Sequence, residues 1–149
     1  MSTISVWHID GDRFAVSARD HLLTVDQPVA DGGDDTAPTP TELFVASLVS
    51  CVAFYARRYL ARHGLLTDGL RVTGDYDMAP RPVRVARVRI DITLPEGMPD
   101  GRREALLAVA SHCTVHNSLT APPEVSVALA GAPGRTDRPT AKLRAVPGQ

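Results

Sequence analysis

The sequence has almost no net charge. Its 16 Lys and Arg residues nearly balance its 17 Asp and Glu residues, which leaves a formal charge of −1 at neutral pH. A chain with so little net charge has no general electrostatic attraction to nucleic acid or to acidic lipid. We therefore expect neither a nucleic acid nor a membrane among its partners.

Long hydrophobic runs are also scarce. The longest apolar-rich stretch, residues 43–55, is shorter than the roughly 20 residues that a membrane-spanning helix needs. Residues 1–7 lack the basic start and the apolar core of a secretory signal peptide. These features predict a cytoplasmic protein. With 149 residues the chain is long enough to bury a core, and we expect a single domain over residues 1–131 and a flexible tail over residues 132–149.

Cysteine is rare, because only Cys51 and Cys113 are present. In a reducing compartment, two cysteines are more often free thiols or a cycling pair than a permanent disulfide. A free cysteine is also commonly just a small buried hydrophobic residue. The physical properties of the two residues alone favour this plainer reading, and their sequence surroundings provide the argument for a dithiol redox site.

The pattern of apolar residues predicts an α+β fold. Alternating apolar and polar residues are typical of strands, and turn residues separate them. The apolar positions after Asp100 have the spacing of a second helix, at whose end Cys113 lies. The predicted strands cover residues 4–9, 13–19, 22–27, 70–78, 83–94 and 124–130, and this second helix covers residues 101–112.

The first and longest helix has clear start and end signals. Thr39 is suited to the N-cap, Pro40 to the first helical position and Glu42 to a capping box. The helix should run to about residue 63, with Gly64 at its C-terminal cap. Its first half is apolar on nearly every face, so it must be covered on all sides. We expect a second copy of the chain to cover it in an obligate dimer, and the alternative is a monomer whose strands wrap the helix.

Two segments resemble the motifs of a known family. Residues 39–51, TPTELFVASLVSC, resemble the central-helix motif of the OsmC/Ohr family, the osmotically inducible and organic hydroperoxide resistance proteins. Residues 112–119, HCTVHNSL, resemble that family's second motif, Cys-Pro-Val-x-x-x-Leu, with Thr114 in place of the proline. The resemblance extends from about residue 14 to residue 129 and points to the OsmC-like branch. It implies antiparallel sheets around two central helices and an intertwined homodimer with active sites formed between the subunits.

The resemblance also implies a thiol-dependent peroxidase without metal or other cofactor. Cys51 would attack an organic hydroperoxide and become a sulfenic acid, Cys113 would resolve it as a disulfide, and a dithiol reductant would restore both thiols. The substrate site would be apolar, which favours organic peroxides over hydrogen peroxide. Its expected lining residues are Leu43, Phe44, Leu48 and Phe54.

Burial in an apolar helix disfavours the thiolate of Cys51, so the mechanism requires a nearby cation. Family members use an arginine from the N-terminal half, held by a glutamate ten residues before the first cysteine. That position is Thr41 here. Glu42 is therefore the candidate, although at ~100° per residue it lies about half a turn from Cys51 and is also explained by the capping box. Arg19 is the preferred arginine, with Arg13 as the alternative.

Other charged residues have plainer explanations. Arg57 and Arg58 lie beyond Cys51, and Arg58 is close to the same helix face, yet both are typical of the surface near a helix C-terminus. His112 and His116 flank Cys113, but this spacing does not match the four ligands of a structural zinc site. We predict no metal.

Two alternative functions remain at this stage. The departure at Thr41 favours a binding module whose cleft holds a small apolar ligand without turnover. A redox sensor would instead use disulfide formation to alter a partner surface, for which the arginine-rich segment 83–94 is the candidate. The occurrence of both cysteine motifs in family order favours the peroxidase.

Overall fold

A computed structural model describes residues 2–131, so the predicted flexible tail lies outside the described residues. The chain forms an α+β fold with two antiparallel sheets, ordered β1-β2-β3 and β4-β5, which confirms the predicted fold class. Its elements are β1 (Ile4–Asp10), β2 (Arg13–Ala18), β3 (His21–Val25), α1 (Pro40–Arg62), β4 (Arg71–Pro80), β5 (Val83–Thr93), α2 (Arg103–Ala110) and α3 (Thr114–Thr120).

The described residues fall into two compact units. The first contains the residues up to 40 together with residues 125–131, and it carries the three-stranded sheet. The second contains residues 41–124, with the β4-β5 hairpin and nearly all of the helical structure. Both cysteines belong to the second unit.

A buried carboxylate organises the loop after β3 in the first unit. Asp26 is fully buried and accepts hydrogen bonds from the Gln27 amide at 2.8 Å, the Thr36 amide at 3.0 Å and the Thr36 hydroxyl at 2.7 Å. Gly33 closes the loop against this carboxylate. A Cβ atom at Gly33 would lie 2.1 Å from the Gln27 carbonyl oxygen, so glycine is required for this close approach.

The hydrogen bonds to Asp26 make the first unit sensitive to acid. They lower the pKa of Asp26 to about 2, mainly through the Thr36 side chain, from an ordinary value of about 3.9. Since the folded state favours the ionised carboxylate, its contribution to stability is complete above about pH 4 and is lost as the pH falls towards 2. We expect Asp26→Asn to be less stable than the wild type at pH 7 and to lose part of this acid dependence. Thermal unfolding between pH 7 and pH 2 measures both effects.

Asp20 provides the matched control, because it is exposed in the turn between β2 and β3. Asp20→Asn should retain the wild-type acid dependence. A set of melting temperatures in which Asp26→Asn follows the wild type at every pH would contradict the role of the buried carboxylate.

Helix α1 begins at Pro40 and ends one residue before the predicted end. Its C-terminus is a Schellman motif, in which the Leu65 amide donates to the Leu60 carbonyl at 3.0 Å and the Gly64 amide donates to the Ala61 carbonyl at 3.2 Å. Gly64 has the left-handed φ of 65° that this motif uses. The predicted glycine cap is therefore confirmed.

One stripe of α1 forms the core of the second unit. All of its buried residues except Val45 pack in one cluster with Met98, with α2 and with Cys113, and the inner face of the β4-β5 hairpin lies against this cluster. The hairpin approaches α1 closely at Gly74, where a Cβ atom would lie 2.4 Å from Cγ2 of Val49. The buried residues of the stripe are Val45, Leu48, Val52, Ala56, Tyr59 and Leu60.

The structure corrects two predictions of secondary structure. Residues 124–130 form no strand, and Val125, Val127 and Leu129 are exposed. Alternation alone does not make a strand, because the backbone groups also need a paired neighbour, and no described strand pairs with this segment. The predicted helix over 101–112 is shorter, and Cys113 is followed by a further short helix, α3, that was not predicted.

Candidate functional site

The fold brings the two cysteines together. Cys51 lies at the middle of α1, and Cys113 lies at the junction of α2 and α3. Cys113 is part of the apolar core cluster, Cys51 packs against that cluster, and the two thiols are close enough for Cys51 to raise the pKa of Cys113. Cys113 is fully buried, whereas Cys51 is partly exposed. Both are free thiols, so the site contains an unlinked dithiol with one accessible member.

The surroundings of Cys113 keep its thiol protonated. Cys113 is the N-cap of α3, and its Sγ accepts a hydrogen bond from the His116 amide at 3.4 Å. Burial raises the pKa of the thiol, and the neighbouring Cys51 raises it further, while the His116 amide acts in the opposite direction. Cys113 is therefore a poor nucleophile in the resting protein. The more exposed Cys51 is the better placed of the two to meet a substrate.

A cavity of about 470 Å³ is lined by residues from the elements that carry the two cysteines, although neither cysteine is itself a lining residue. Its size is within the range of pockets that hold small organic molecules. Its wall includes Val52, which follows Cys51 in the sequence, and His116, whose amide is hydrogen-bonded to Cys113. The lining is mostly apolar and comprises Phe44, Leu48, Val52, Val85, Ala86, Arg87, Val88, Ile90, Ile92, Leu107, Ala110, Ser111, His116, Leu119 and Thr120.

Two of the four residues expected at the substrate site line this cavity, namely Phe44 and Leu48. Leu43 and Phe54 are not among its lining residues. Phe54 is 53% exposed and carries the Arg58 guanidinium over its ring, 5.4 Å from the ring centroid. This contact supports the plainer reading of Arg58 as a surface residue.

The charged residues proposed to activate Cys51 lie in the first turn of α1 and in the first unit. Glu42 is exposed in the first turn of α1, and because α1 is continuous, a residue nine positions before Cys51 projects from the opposite face. Arg19 belongs to the first unit, in the turn after β2, with a left-handed φ of 56°. Arg13 is ion-paired with Asp10. The catalytic roles of Arg19 and Glu42 therefore stay predictions.

Two of the three arginines of β5 lie opposite carboxylates of β4, and the third, Arg84, lies opposite Ala79. Arg87 lies opposite Asp77, and Arg89 lies opposite Asp75, in the β4-β5 register. The Arg87 guanidinium is 3.8 Å from the Asp77 carboxylate. Cross-strand carboxylates thus balance this positive charge, as expected of a solvated strand face.

Within residues 2–131 no group of three or more His, Cys, Asp or Glu side chains could hold a metal ion. His112 contacts its own helix instead, through a 2.7 Å hydrogen bond between Nδ1 and the Ala108 carbonyl. One feature near the cysteines was not predicted from the sequence, a hydrogen bond of 2.9 Å between the hydroxyls of Tyr55 and Thr114. The spacing of Tyr55, four residues after Cys51, was the available signal.

Comparisons with known proteins identify a matching family model and similar folds. Residues 32–128 match the family model described as OsmC-like protein. A search of curated proteins found no match. A solved structure from Psychrobacter arcticus, named as an osmotic stress induced and detoxification response protein, is 26% identical with a TM-score of 0.73, covering 79% of this chain and 88% of that one.

Two further solved structures share the fold. An organic hydroperoxide resistance protein OsmC from Legionella pneumophila is 21% identical with a TM-score of 0.56, covering 80% of this chain and 88% of that one. An organic hydroperoxide resistance protein from Vibrio cholerae, with captopril bound in one of its active sites, is 21% identical with a TM-score of 0.61. The match to the Vibrio protein covers 78% of this chain and 83% of that one.

Proposed function

The chain belongs to the OsmC family, and we propose that it is a thiol-dependent peroxidase that reduces organic hydroperoxides to alcohols. One observation carries the proposal: an accessible thiol, Cys51, and a buried thiol, Cys113, lie close together at one apolar cluster, and residues of the same cluster line a cavity. The names of the Legionella and Vibrio relatives are consistent with this activity.

The proposed reaction needs only sulfur chemistry. The Cys51 thiolate attacks the outer oxygen of ROOH, the O–O bond breaks, and a proton completes the alcohol ROH while Cys51 becomes a sulfenic acid. The Cys113 sulfur then attacks the Cys51 sulfur, and its proton leaves with the hydroxyl group as water. A dithiol reductant donates two electrons and two protons to open the disulfide and is itself oxidised.

The arrangement of the two thiols suits this order of events. Cys51 is the more exposed of the pair, so it meets the peroxide first. Cys113 is buried and protonated, so it does not compete for the substrate. Once Cys51 is a sulfenic acid, its sulfur becomes electrophilic, and the neighbouring Cys113 thiol can attack it.

The cavity favours organic peroxides over hydrogen peroxide. Its walls are mainly aliphatic side chains from α1 and β5, such as Leu48, Val88 and Ile90. An alkyl or aryl group loses apolar surface to water when it enters such a cavity, which contributes about 25 cal/mol for each Å² buried. Hydrogen peroxide has no such group and gains nothing from these walls.

We also propose that the protein works as a homodimer in the cytoplasm. Helix α1 is long and apolar enough to cross a membrane, with a mean hydropathy of 1.4 over its most apolar window, but the core helices of water-soluble proteins share this composition. Only 33% of that window is buried within the single chain, so much of this apolar helix is left uncovered. A second copy of the chain would cover exposed apolar residues such as Phe54, and a reducing compartment would supply the dithiol reductant.

Free-thiol counting tests the proposed activity. Reduced protein receives one equivalent of cumene hydroperoxide or of hydrogen peroxide, and the remaining thiols and the cumyl alcohol are quantified over time. We expect both thiols to disappear as an intramolecular disulfide, faster with cumene hydroperoxide, with one alcohol formed per chain. Two thiols that persist for many minutes with both peroxides would contradict the proposal.

Cys113→Ser should separate oxidation from turnover. Serine retains N-cap capability for α3, so the fold should be preserved, but it cannot form the disulfide. Without a reductant, both proteins should form one cumyl alcohol per chain, but Cys113→Ser should keep a Cys51 sulfenic acid that dimedone traps, whereas the wild type should form the disulfide and resist trapping. Equal dimedone labelling of the two oxidised proteins would contradict the resolving role of Cys113.

A binding module is the second candidate, because the mostly apolar cavity could hold a small ligand without chemistry. In that case cumyl alcohol would bind with the same affinity to the wild type and to Cys51→Ser, and the peroxide would leave both thiols intact. Loss of the thiols in the counting experiment excludes this alternative.

A further inference from the structure

The segment that carries Cys113 is held together mainly by bonds within itself. The Asn117 amide donates to the Cys113 carbonyl at 2.9 Å, and the Asn117 side chain donates to the His112 carbonyl at 3.2 Å. The Ser118 hydroxyl donates to the Thr114 carbonyl at 3.0 Å. These bonds fix the shape of the α2-α3 junction, but they do not attach it to α1.

The hydrogen bond between Tyr55 and Thr114 crosses from the junction to α1. The two hydroxyl oxygens are 2.9 Å apart. Tyr55 lies one turn after Cys51 on the same side of α1, and Thr114 directly follows Cys113. The bond therefore joins the two chain segments at a point one residue from Cys113 and one helical turn from Cys51.

Cys113 is the residue whose backbone lies next to this bond. It is extended, with φ −68° and ψ 158°, between two helices. A proline after Cys113 would favour this conformation by steric exclusion of the helical region, but Thr114 has no such effect. A helical Cys113 would lose the N-cap geometry in which its Sγ accepts the His116 amide, so this backbone conformation sets the position of the Sγ atom.

We propose that Tyr55 is a positioning residue, whose hydrogen bond to Thr114 holds Cys113 in the orientation from which its sulfur reaches Cys51. Tyr55 does not touch the peroxide and takes no part in its reduction. Its effect is confined to the closing of the Cys51–Cys113 disulfide. This inference deepens the proposed function, but disulfide closure can be measured without any peroxide.

The test uses 5,5′-dithiobis(2-nitrobenzoate) and the reduced full-length protein in a stopped-flow spectrometer. Cys51 attacks the reagent and releases one thionitrobenzoate, which gives the first phase. Cys113 then attacks the mixed disulfide at Cys51, forms the intramolecular disulfide and releases a second thionitrobenzoate with a proton, which gives a first-order second phase. The second phase is the closing step.

We expect Tyr55→Phe to slow the second phase by roughly 2- to 10-fold, the effect of one neutral hydrogen bond, and to leave the first phase unchanged. Thr114→Val should have the same effect, and the double variant should be no slower than either single one. Tyr76→Phe, which removes an exposed hydroxyl from β4, is the matched control and should behave as wild type.

Thr114→Pro in the Tyr55→Phe background gives a rescue test. Proline is favoured at the first position of a helix and restrains the residue before it to an extended backbone. It should restore the fast second phase without restoring the hydrogen bond. A folded double variant that closes as slowly as Tyr55→Phe would overturn the positioning role.

Two other results would also overturn it: a wild-type second phase in Tyr55→Phe, or equal slowing of both phases, which would indicate a general structural defect. The proposed peroxidase fails separately, if cumene hydroperoxide does not oxidise Cys51 in wild-type protein. A slowed second phase in protein that does not react with peroxide would support the positioning role and reject the peroxidase.

Discussion

Replacing Cys51 with serine should abolish peroxide reduction and lower kcat/KM for cumene hydroperoxide by at least roughly 10³-fold, as expected when a nucleophile is removed. A serine hydroxyl is not ionised at neutral pH and has no sulfur to oxidise. The substitution replaces sulfur with the smaller oxygen at a partly exposed position, so the fold should persist. Peroxide consumption with a dithiol reductant in excess measures the effect.

Ser50→Ala is the matched control for this variant. It changes the residue next to Cys51, whose hydroxyl is exposed and donates only to the Ser47 carbonyl, at 3.2 Å. We expect wild-type activity from it. Unchanged steady-state activity in Cys51→Ser would exclude the mechanism, because Cys113 is buried and cannot replace the accessible thiol.

Of the substitutions proposed for this protein, Leu60→Ala should lower the free energy of unfolding the most. Leu60 is fully buried in the cluster that contains Cys113, and its carbonyl also accepts the Schellman hydrogen bond from Leu65. Truncation of a leucine in a packed core costs about 2–5 kcal/mol of unfolding free energy, through lost burial and a residual cavity. Equilibrium unfolding in urea measures this difference.

Leu66→Ala is the corresponding surface control, because Leu66 is 67% exposed. Its unfolding free energy should stay within about 0.5 kcal/mol of the wild type. If the two variants lost stability equally, the packing described around α1 would be wrong.

The sequence was sufficient where local chemistry determines structure. Pro40 and Gly64 mark the limits of α1 because a proline is favoured in the first helical turn and a glycine adopts the left-handed cap. The five strands β1 to β5 follow from alternation together with nearby turn residues. The fold class follows from the same patterns, whereas the OsmC family was identified through the resemblance of the two cysteine motifs.

Features that depend on tertiary contacts were not predictable. Residues 124–130 alternate like a strand, but no pairing partner was readable from the pattern. The cavity is lined by residues from α1, β5, α2 and α3, whereas the predicted lining residues all came from α1. Of those predicted residues, only Phe44 and Leu48 line the cavity. Tyr55 was missed because its role arises from a contact with Thr114, 59 residues away in the chain.

The activating cation could not be derived from spacing either. The catalytic roles of Arg19 and Glu42 rest on the resemblance alone, and the continuous helix places Glu42 on the face opposite to Cys51. Whether an arginine stabilises a thiolate depends on the distance between the guanidinium and the sulfur in the folded protein. Sequence position carries little information about that distance when the residues belong to different units of the chain.

The most direct test of the central claim is the second-order rate constant for oxidation of Cys51 by cumene hydroperoxide at pH 7, measured in Cys113→Ser protein and compared with free cysteine. We predict that Cys51 reacts at least roughly 100-fold faster than free cysteine, the lower range of what a positioned catalytic group provides, and faster with cumene hydroperoxide than with hydrogen peroxide. A rate constant equal to that of free cysteine, with no preference between the two peroxides, would show that Cys51 is an ordinary thiol and would contradict the account.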